Sequence, residues 1–327
     1  MAGGAPVGAE ANEGARPRTV ILIGGPTASG KSATALALAR RLGGVVINAD
    51  SIQVYRDLRV LTARPGDAEL AQAPHRLDGV LDAADICSAG RWRDLALAEM
   101  VAATQAGQVP IVVGGTGLYL RALVHGMAPV PPIPPEIRAD VRAFTDQAGA
   151  AGLATALAVE DPEMAQRLRP TDPQRQARAL EVIRATGQSL AHWQRQMEAL
   201  PARWRVVVGL LAPDRTLLYQ RCDRRLDAML EQGAIEEVEA LMARGLPADT
   251  PLLKALGAQE IAAWRAGRTS WDDAVTRAQR LTRNFAKRQL TWFRRQSLLR
   301  PTDPPAVVAQ DPDPLWQKII TIVRNFG

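Results

Sequence analysis

Four short apolar runs, rich in β-branched residues, stand out along the chain: Thr19–Gly24, Val45–Asn48, Val109–Val113 and Trp204–Leu211. Each has the length of a strand buried on both faces, and three of them end in Gly or in a Gly- or Asp-containing turn. Between them, Lys31–Leu42 and Arg91–Ala106 are built of good helix formers, with Trp92, Leu95 and Met100 among the apolar positions of the second. Strands alternating with helices predict an α/β fold, a P-loop type parallel sheet with helical crossovers. From Glu136 to about Gln196 the pattern is helical throughout, broken at Asp161-Pro162, Arg169-Pro170 and Asp172-Pro173. This stretch predicts an all-α insertion domain, and Trp204–Leu211 then rejoins the sheet.

The segment Ala128–Pro135 holds five prolines and marks a boundary. The expected organisation is therefore a disordered leader over 1–18, a catalytic core over 19–127 and 202–300, a helical insertion over 128–201, and a C-terminal tail over 301–327. Within the tail, Asp303–Pro314 is Pro-rich and is expected to be loop-like.

Composition narrows the class. Of 327 residues, 47% are hydrophobic and 23% charged, a globular balance. No apolar run approaches the roughly 20 residues of a membrane span. Two cysteines, Cys87 and Cys222, with no secretory signal point to a reducing cytoplasm. The three histidines, His75, His125 and His192, are isolated and suggest no zinc site. Lys plus Arg number 40 against 34 acids, a net charge of +6 that permits a polyanionic partner without requiring one. Nearly all the cations are Arg, which makes Lys31 conspicuous.

Gly25-Pro26-Thr27-Ala28-Ser29-Gly30-Lys31-Ser32 fits G-x-x-x-x-G-K-[ST] and lies between a predicted strand and helix, the context the motif needs. Its backbone N–H groups and the helix N-terminus would cradle phosphate oxygens, Lys31 would neutralise them, and Ser32 could ligate Mg²⁺. The motif specifies a phosphate or diphosphate and no more, since kinases and ATPases use it too. Asp50, after the second strand, is the one carboxylate at the predicted strand ends. It is a candidate general base, with a Mg²⁺ ligand or helix N-cap as the alternatives. Thr116 lies in the Gly114–Gly117 turn, where it could equally cap the following helix. Arg215 is assigned to the diphosphate, against the alternative of a solvent-facing helix-start Arg. Ser51, Ile52 and Gln53 are candidates to read a flipped adenine edge, since a Gln amide can pair with adenine N6 and N7.

Ala274–Arg300 carries eight Lys or Arg and no acid. At 100° per residue Arg277, Arg280, Arg283 and Lys287 fall in one basic stripe beside an apolar one, the pattern of a helix that packs on a core and shows charge to a polyanion, with a solvated basic face as the alternative.

Read in order, Gly25–Ser32, Asp50-Ser51-Ile52-Gln53-Val54-Tyr55, Pro74-His75-Arg76-Leu77, Gly114–Tyr119, Asp172–Arg175 with Arg178–Glu181, and Lys287–Trp292 resemble the bacterial tRNA dimethylallyltransferases. The resemblance spans about residues 19–296. It implies transfer of a dimethylallyl group from dimethylallyl diphosphate to N6 of the adenosine at position 37 of tRNA; Mg²⁺ at the phosphate loop and a cytoplasmic, monomeric protein are expected beside it. It also implies that Asp50 is the base, that Thr116 and Lys31 act at the reacting groups, and that the anticodon stem-loop meets Arg138, Gln174, Arg175, Gln176, Ala177 and Arg178. Asp57, Leu61 and Ala258 depart from the family pattern, in which Gly, Gly and Tyr are usual. The rival readings are a P-loop small-molecule kinase using ATP, which leaves the acid-free helix unexplained, and a non-catalytic RNA-binding module.

Overall fold

The computed structural model describes residues 17–325. In chain order the elements are β1 (Arg18–Gly24), α1 (Lys31–Leu42), β2 (Gly44–Asn48), α2 (Asp67–Leu70), β3 (His75–Arg76), α3 (Ala89–Gln105), β4 (Val109–Gly114), α4 (Gly117–His125), α5 (Pro135–Glu160), α6 (Pro162–Arg167), α7 (Pro173–Thr186), α8 (Leu190–Arg195), β5 (Trp204–Leu211), α9 (Arg215–Glu231), α10 (Ala234–Ala243), α11 (Ala258–Arg265), α12 (Trp271–Arg295), β6 (Val307–Ala309) and α13 (Pro312–Arg324). Residues 1–16 of the expected leader lie outside the described residues, and Arg18 already belongs to β1.

The six strands form one parallel sheet in the order β3-β2-β4-β1-β5-β6. β1 is its axis, pairing Ile21 with Ile111 of β4 and with Val207 of β5. Val20–Ile23, Ile111, Val112 and Val206–Val208 are buried, so the central strands are apolar on both faces, as an all-parallel sheet demands. The chain leaves β1 for β2, beyond β4, and leaves β4 for β5, beyond β1. The loops after β1 and β4 thus part in opposite directions and open a crevice at the carboxyl edge of the sheet.

Two compact units result. Residues up to Leu120 and from Pro201 onward make the sheet unit, and Arg121–Leu200 make the second. The second unit is all helical, with Val141, Leu153, Leu157, Met164, Ala179 and Leu180 in a core of its own. It begins in the last turns of α4 and not at the expected position 128, because Leu200 N–H closes on Val124 O (2.9 Å).

The loop-like reading of Asp303–Pro314 is also corrected, since β6 and the start of α13 fall within it. β6 pairs Gly209–Leu211 with Val307–Ala309, and α13 buries Leu315, Ile319 and Ile320 in the core shared by α1 and β5. The spacing of those three residues is helical and was the available signal. A Cβ added to Gly30 would run into the Pro312 ring, so the start of α13 abuts the loop after β1.

The carboxyl edge requires glycine where backbones approach closely. A Cβ on Gly114 would overlap the carbonyl of Ala49 in the neighbouring strand-end turn. Gly114→Ala should lower unfolding stability by about 1–3 kcal/mol, the cost of overpacking against backbone that cannot move aside. A shift in the urea midpoint at unchanged m would show it; an unshifted midpoint would contradict this packing.

Candidate active site

The loop from Gly25 to Gly30 turns between β1 and α1, with Gly30 in the left-handed region (φ 91°) to aim N–H groups inward. Lys31 Nζ folds back to donate to Pro26 O (3.1 Å). Ser29 Oγ is fully buried in the loop with no hydrogen-bond partner among the described residues. Such a hydroxyl is costly unless a ligand oxygen meets it, which fits an anion in the loop.

The turn after β2 is braced from several sides. Asn48 accepts Asp50 N–H (2.9 Å) and donates to Leu77 O (3.1 Å), while Trp92 of α3 donates to Asn48 O (2.9 Å). Asp50 Oδ1 accepts the N–H of Ile52 (3.0 Å), which orients the carboxylate. The Thr116 hydroxyl accepts Ser51 N–H (3.0 Å) and donates to Ser51 Oγ (3.3 Å). Its side chain therefore joins the β4 loop to the β2 turn; the start of α4 rests on the Thr116 carbonyl instead.

These pieces surround two neighbouring cavities. One, about 520 Å³, is lined by Thr27, Lys31, Ser32, Asp50, Arg225 and the segment from Arg59 to Gly66. The other, about 310 Å³, has the largely apolar wall of Leu61, Cys222, Leu226, Met229 and Phe285, with Lys254 and Arg288 as its cations beside Arg225. Thr27, Asp50, Thr62, Arg225 and Met229 line both. A wider groove between α11 and α12, about 640 Å³, takes in Glu260, Arg277 and Arg280 and no phosphate-loop residue.

Charge in the first cavity is unbalanced. Burial lowers the Lys31 ammonium to about 8; Asp50 opposes the shift and Arg225 adds to it. Burial likewise makes the Arg225 charge costly, with Cys222 and Asp50 partly offsetting. With Arg59 and Arg64 also in the lining and Asp50 and Glu69 as its acids, four cations face two carboxylates, which makes a receptor for an anion. At the edge of the cleft, burial raises Asp78 to about 7, with Arg64 opposing and Asp50 reinforcing. The Ser32 hydroxyl and Asp50 carboxylate present the oxygen donors a hard cation takes, so the residues fit Mg²⁺ shared with phosphate oxygens.

Several sequence expectations change. Arg215 is exposed at the start of α9, donates to Tyr219 Oη (2.8 Å) and lines neither cavity. Arg225, ten residues on and bonded to the Thr27 hydroxyl, stands at the phosphate loop instead. Nothing in its local pattern separates it from the many other arginines. The Gln53 amide donates to Thr62 O (2.8 Å) and Ala63 O (3.0 Å), so that group holds a cavity wall and is not offered to a base. The same wall hangs on Glu237, which receives the N–H groups of Arg59, Val60 and Leu61 at 2.8–3.1 Å. No sequence signal links Glu237 to residues so far away along the chain.

In the helical unit, Gln174 and Arg175 are exposed on the first turn of α7, Arg138 is exposed on α5, and Ala177 and Arg178 are half-buried. Gln176 is only 2% exposed and bonds Arg169 O (2.8 Å), so it packs inward instead of facing a partner. On α12 the acid-free stripe is partly neutralised from other helices: Arg283 pairs with Asp223 of α9 (2.8 Å) and Arg277 with Glu260 of α11 (3.2 Å). Arg280 and Lys287 are exposed. The departures from the family pattern are accommodated. Asp57 pairs with Arg244 and accepts Ala83 N–H, while Leu61 fills the space over Gly257 beside buried Ala258.

Comparison with known proteins places this geometry. Residues 53–296 match the family model described as IPP transferase. The chain belongs to the IPP transferase family. A relative from Rhodospirillum centenum, named tRNA dimethylallyltransferase, is 54% identical over 280 residues, covering 85% of this chain and 89% of its own. One of the same name from Paramagnetospirillum magneticum is 51% identical over 280 residues, covering 85% and 88%. Among solved structures, a tRNA isopentenylpyrophosphate transferase from Bacillus halodurans superposes with a TM-score of 0.66 at 31% identity, covering 95% of this chain and 97% of that one. A eukaryotic dimethylallyltransferase caught acting on tRNA gives a TM-score of 0.79 at 26% identity, covering 94% and 79%. Membership in the IPP transferase family sets the ATP-kinase reading aside.

The Lys31 ammonium gives the site a pH signature. Affinity for an organic diphosphate should hold steady up to pH about 8 and then fall, because binding the anion restores the proton that Lys31 has lost. The limiting slope is about tenfold per pH unit for one proton taken up. Calorimetry in buffers of different ionisation enthalpy would read that proton, and Lys31→Met should remove both the affinity and its pH dependence.

Proposed function

We propose that the protein transfers the dimethylallyl group of dimethylallyl diphosphate to N6 of the adenosine at position 37 of tRNA and releases diphosphate. The observation that carries this reading is the juxtaposition at Asp50 and Arg225 of an anion receptor with a second, largely apolar-walled cavity. A diphosphate with a short apolar tail suits that pair. The N6 lone pair attacks the allylic C1, the C1–O bond breaks with its electrons going to the diphosphate, and the N6 proton passes to a base.

The phosphate-loop N–H groups, Lys31, Ser29 and Arg225 bind and stabilise the departing diphosphate. The Ser32 hydroxyl would hold Mg²⁺, which would supply further neutralisation of that charge. Asp50 accepts the N6 proton, its carboxylate oriented by Ile52 N–H. Thr116, through Ser51, fixes the acceptor side relative to the phosphate loop. The anticodon stem-loop is held by the exposed cations Arg280 and Lys287 and, on the helical unit, by Gln174, Arg175, Arg178 and Arg138. No described helix is long and apolar enough to cross a membrane, consistent with a cytoplasmic enzyme working on tRNA.

Incubation with unmodified tRNA and dimethylallyl diphosphate should add the prenyl mass to one adenosine and release diphosphate only when both substrates are present. Asp50→Ala should lower kcat by about 10²–10⁴-fold while tRNA affinity stays near the native value. Loss of tRNA affinity with turnover intact would make Asp50 a binding residue.

Salt dependence separates free from neutralised cations. Arg280→Ala and Lys287→Ala should each remove about 0.7–0.9 from the slope of log K against log salt for tRNA binding. Arg277→Ala and Arg283→Ala should remove less, because Glu260 and Asp223 already balance them. Equal effects at all four positions would contradict this assignment.

A further inference from the structure

One side chain of α12 hydrogen-bonds both catalytic loops. Gln289 is 7% exposed; its Oε1 accepts the N–H of Thr27 in the phosphate loop (2.8 Å) and its Nε2 donates to Gly115 O, next to Thr116 (2.9 Å). The approach is close enough that a Cβ on Gly115 would overlap the Gln289 amide. One turn on, a Cβ on Gly117 would overlap the Trp292 ring, and a Cβ on Gly24 would overlap Phe293. Residues 289, 292 and 293 lie at i, i+3 and i+4, so one face of α12 seats on glycines of the loops after β1 and β4.

We infer that Gln289 is a positioning residue for prenyl transfer, setting the distance between the phosphate loop that holds the donor and the Thr116 turn that holds the acceptor side. The inference rests on the function proposed above. A primary amide carries a donor and an acceptor on one rigid plane, and here each is spent on a different loop. No other volume-matched side chain does both unless it is a glutamic acid that keeps its proton. A carboxylate accepts from Thr27 but faces the Gly115 carbonyl with a second acceptor; a thioether fills the space and makes neither bond. The donor's C1 and the adenine N6 are thereby brought into attacking range by a group that touches neither of them. Misplacement by about 1 Å at such a site costs on the order of 100-fold in rate.

The test compares Gln289→Glu, which keeps the shape and one bond, with Gln289→Met, which keeps the volume and neither. For each, kcat and KM per folded molecule and the ratio of prenyl-adenosine formed to diphosphate released are measured. We expect kcat to fall on the order of 100-fold, with KM for tRNA within about twofold, and Met to be at least as impaired as Glu. The coupling ratio should drop below unity, as water oxygen bonds to the allylic C1, diphosphate leaves and a proton goes to solvent. If the Met variant fails to fold, the near-isosteric Glu variant decides. A variant with a lowered Tm but native kcat per folded molecule and native coupling would make Gln289 a packing residue and overturn the inference. Wild-type protein with no prenyl transfer would instead overturn the proposed function, and this inference with it.

Discussion

The active edge of this protein depends on the closeness with which α12 lies on the loops leaving β1 and β4. Side chains at Gly24, Gly115 or Gly117 would collide with Phe293, Gln289 or Trp292, and the helix would lift off. Because it stays seated, the buried face of α12 organises the phosphate loop and the Thr116 turn while its opposite face carries exposed Arg280 and Lys287. The sheet contributes the crevice, since the crossovers that leave β1 and β4 run to opposite sides of the sheet. The helix converts that crevice into a site of fixed dimensions.

Within it, electrostatics and walls are set by groups distant in sequence. Lys31 and Arg225 lie close together and burial makes both charges costly, a pairing that favours an anion between them. The segment from Arg59 to Ala63 has little secondary structure, yet the Gln53 amide and the Glu237 carboxylate tie down its backbone at both ends. A loop held this way forms a cavity wall without needing a helix or strand to do so.

The sheet was legible because buried parallel strands read as unbroken apolar runs; β5 keeps the bounds its pattern predicts, and β1 and β2 differ by one residue at one end. β3, two residues long, and β6, three, are too short to show a period. Along the site, local motifs found what local geometry makes: the phosphate loop, the Asp50 turn and the Thr116 turn. What they missed depends on tertiary pairing. Arg215 and Arg225 sit on one helix, and only the fold decides which of them reaches Thr27. The acids opposite Arg277 and Arg283 come from α11 and α9, so an acid-free stretch overstated the charge left over. Gln176 sits amid polar residues, and its burial follows from the face of α7 it occupies.

The pairing of β5 with β6 bears on how the molecule comes into being. Gly209 waits for Val307, and Gly30 for Pro312, before the phosphate loop has its full surroundings. β1 in turn waits for β5, with the whole helical unit made in between. The helical unit has a core of local contacts and can condense as it is synthesised, whereas the sheet closes only across long stretches of chain. A nascent chain on the ribosome, surrounded by tRNA, therefore lacks a finished donor site until its C-terminal strand and helix have emerged, and catalytic competence arrives last.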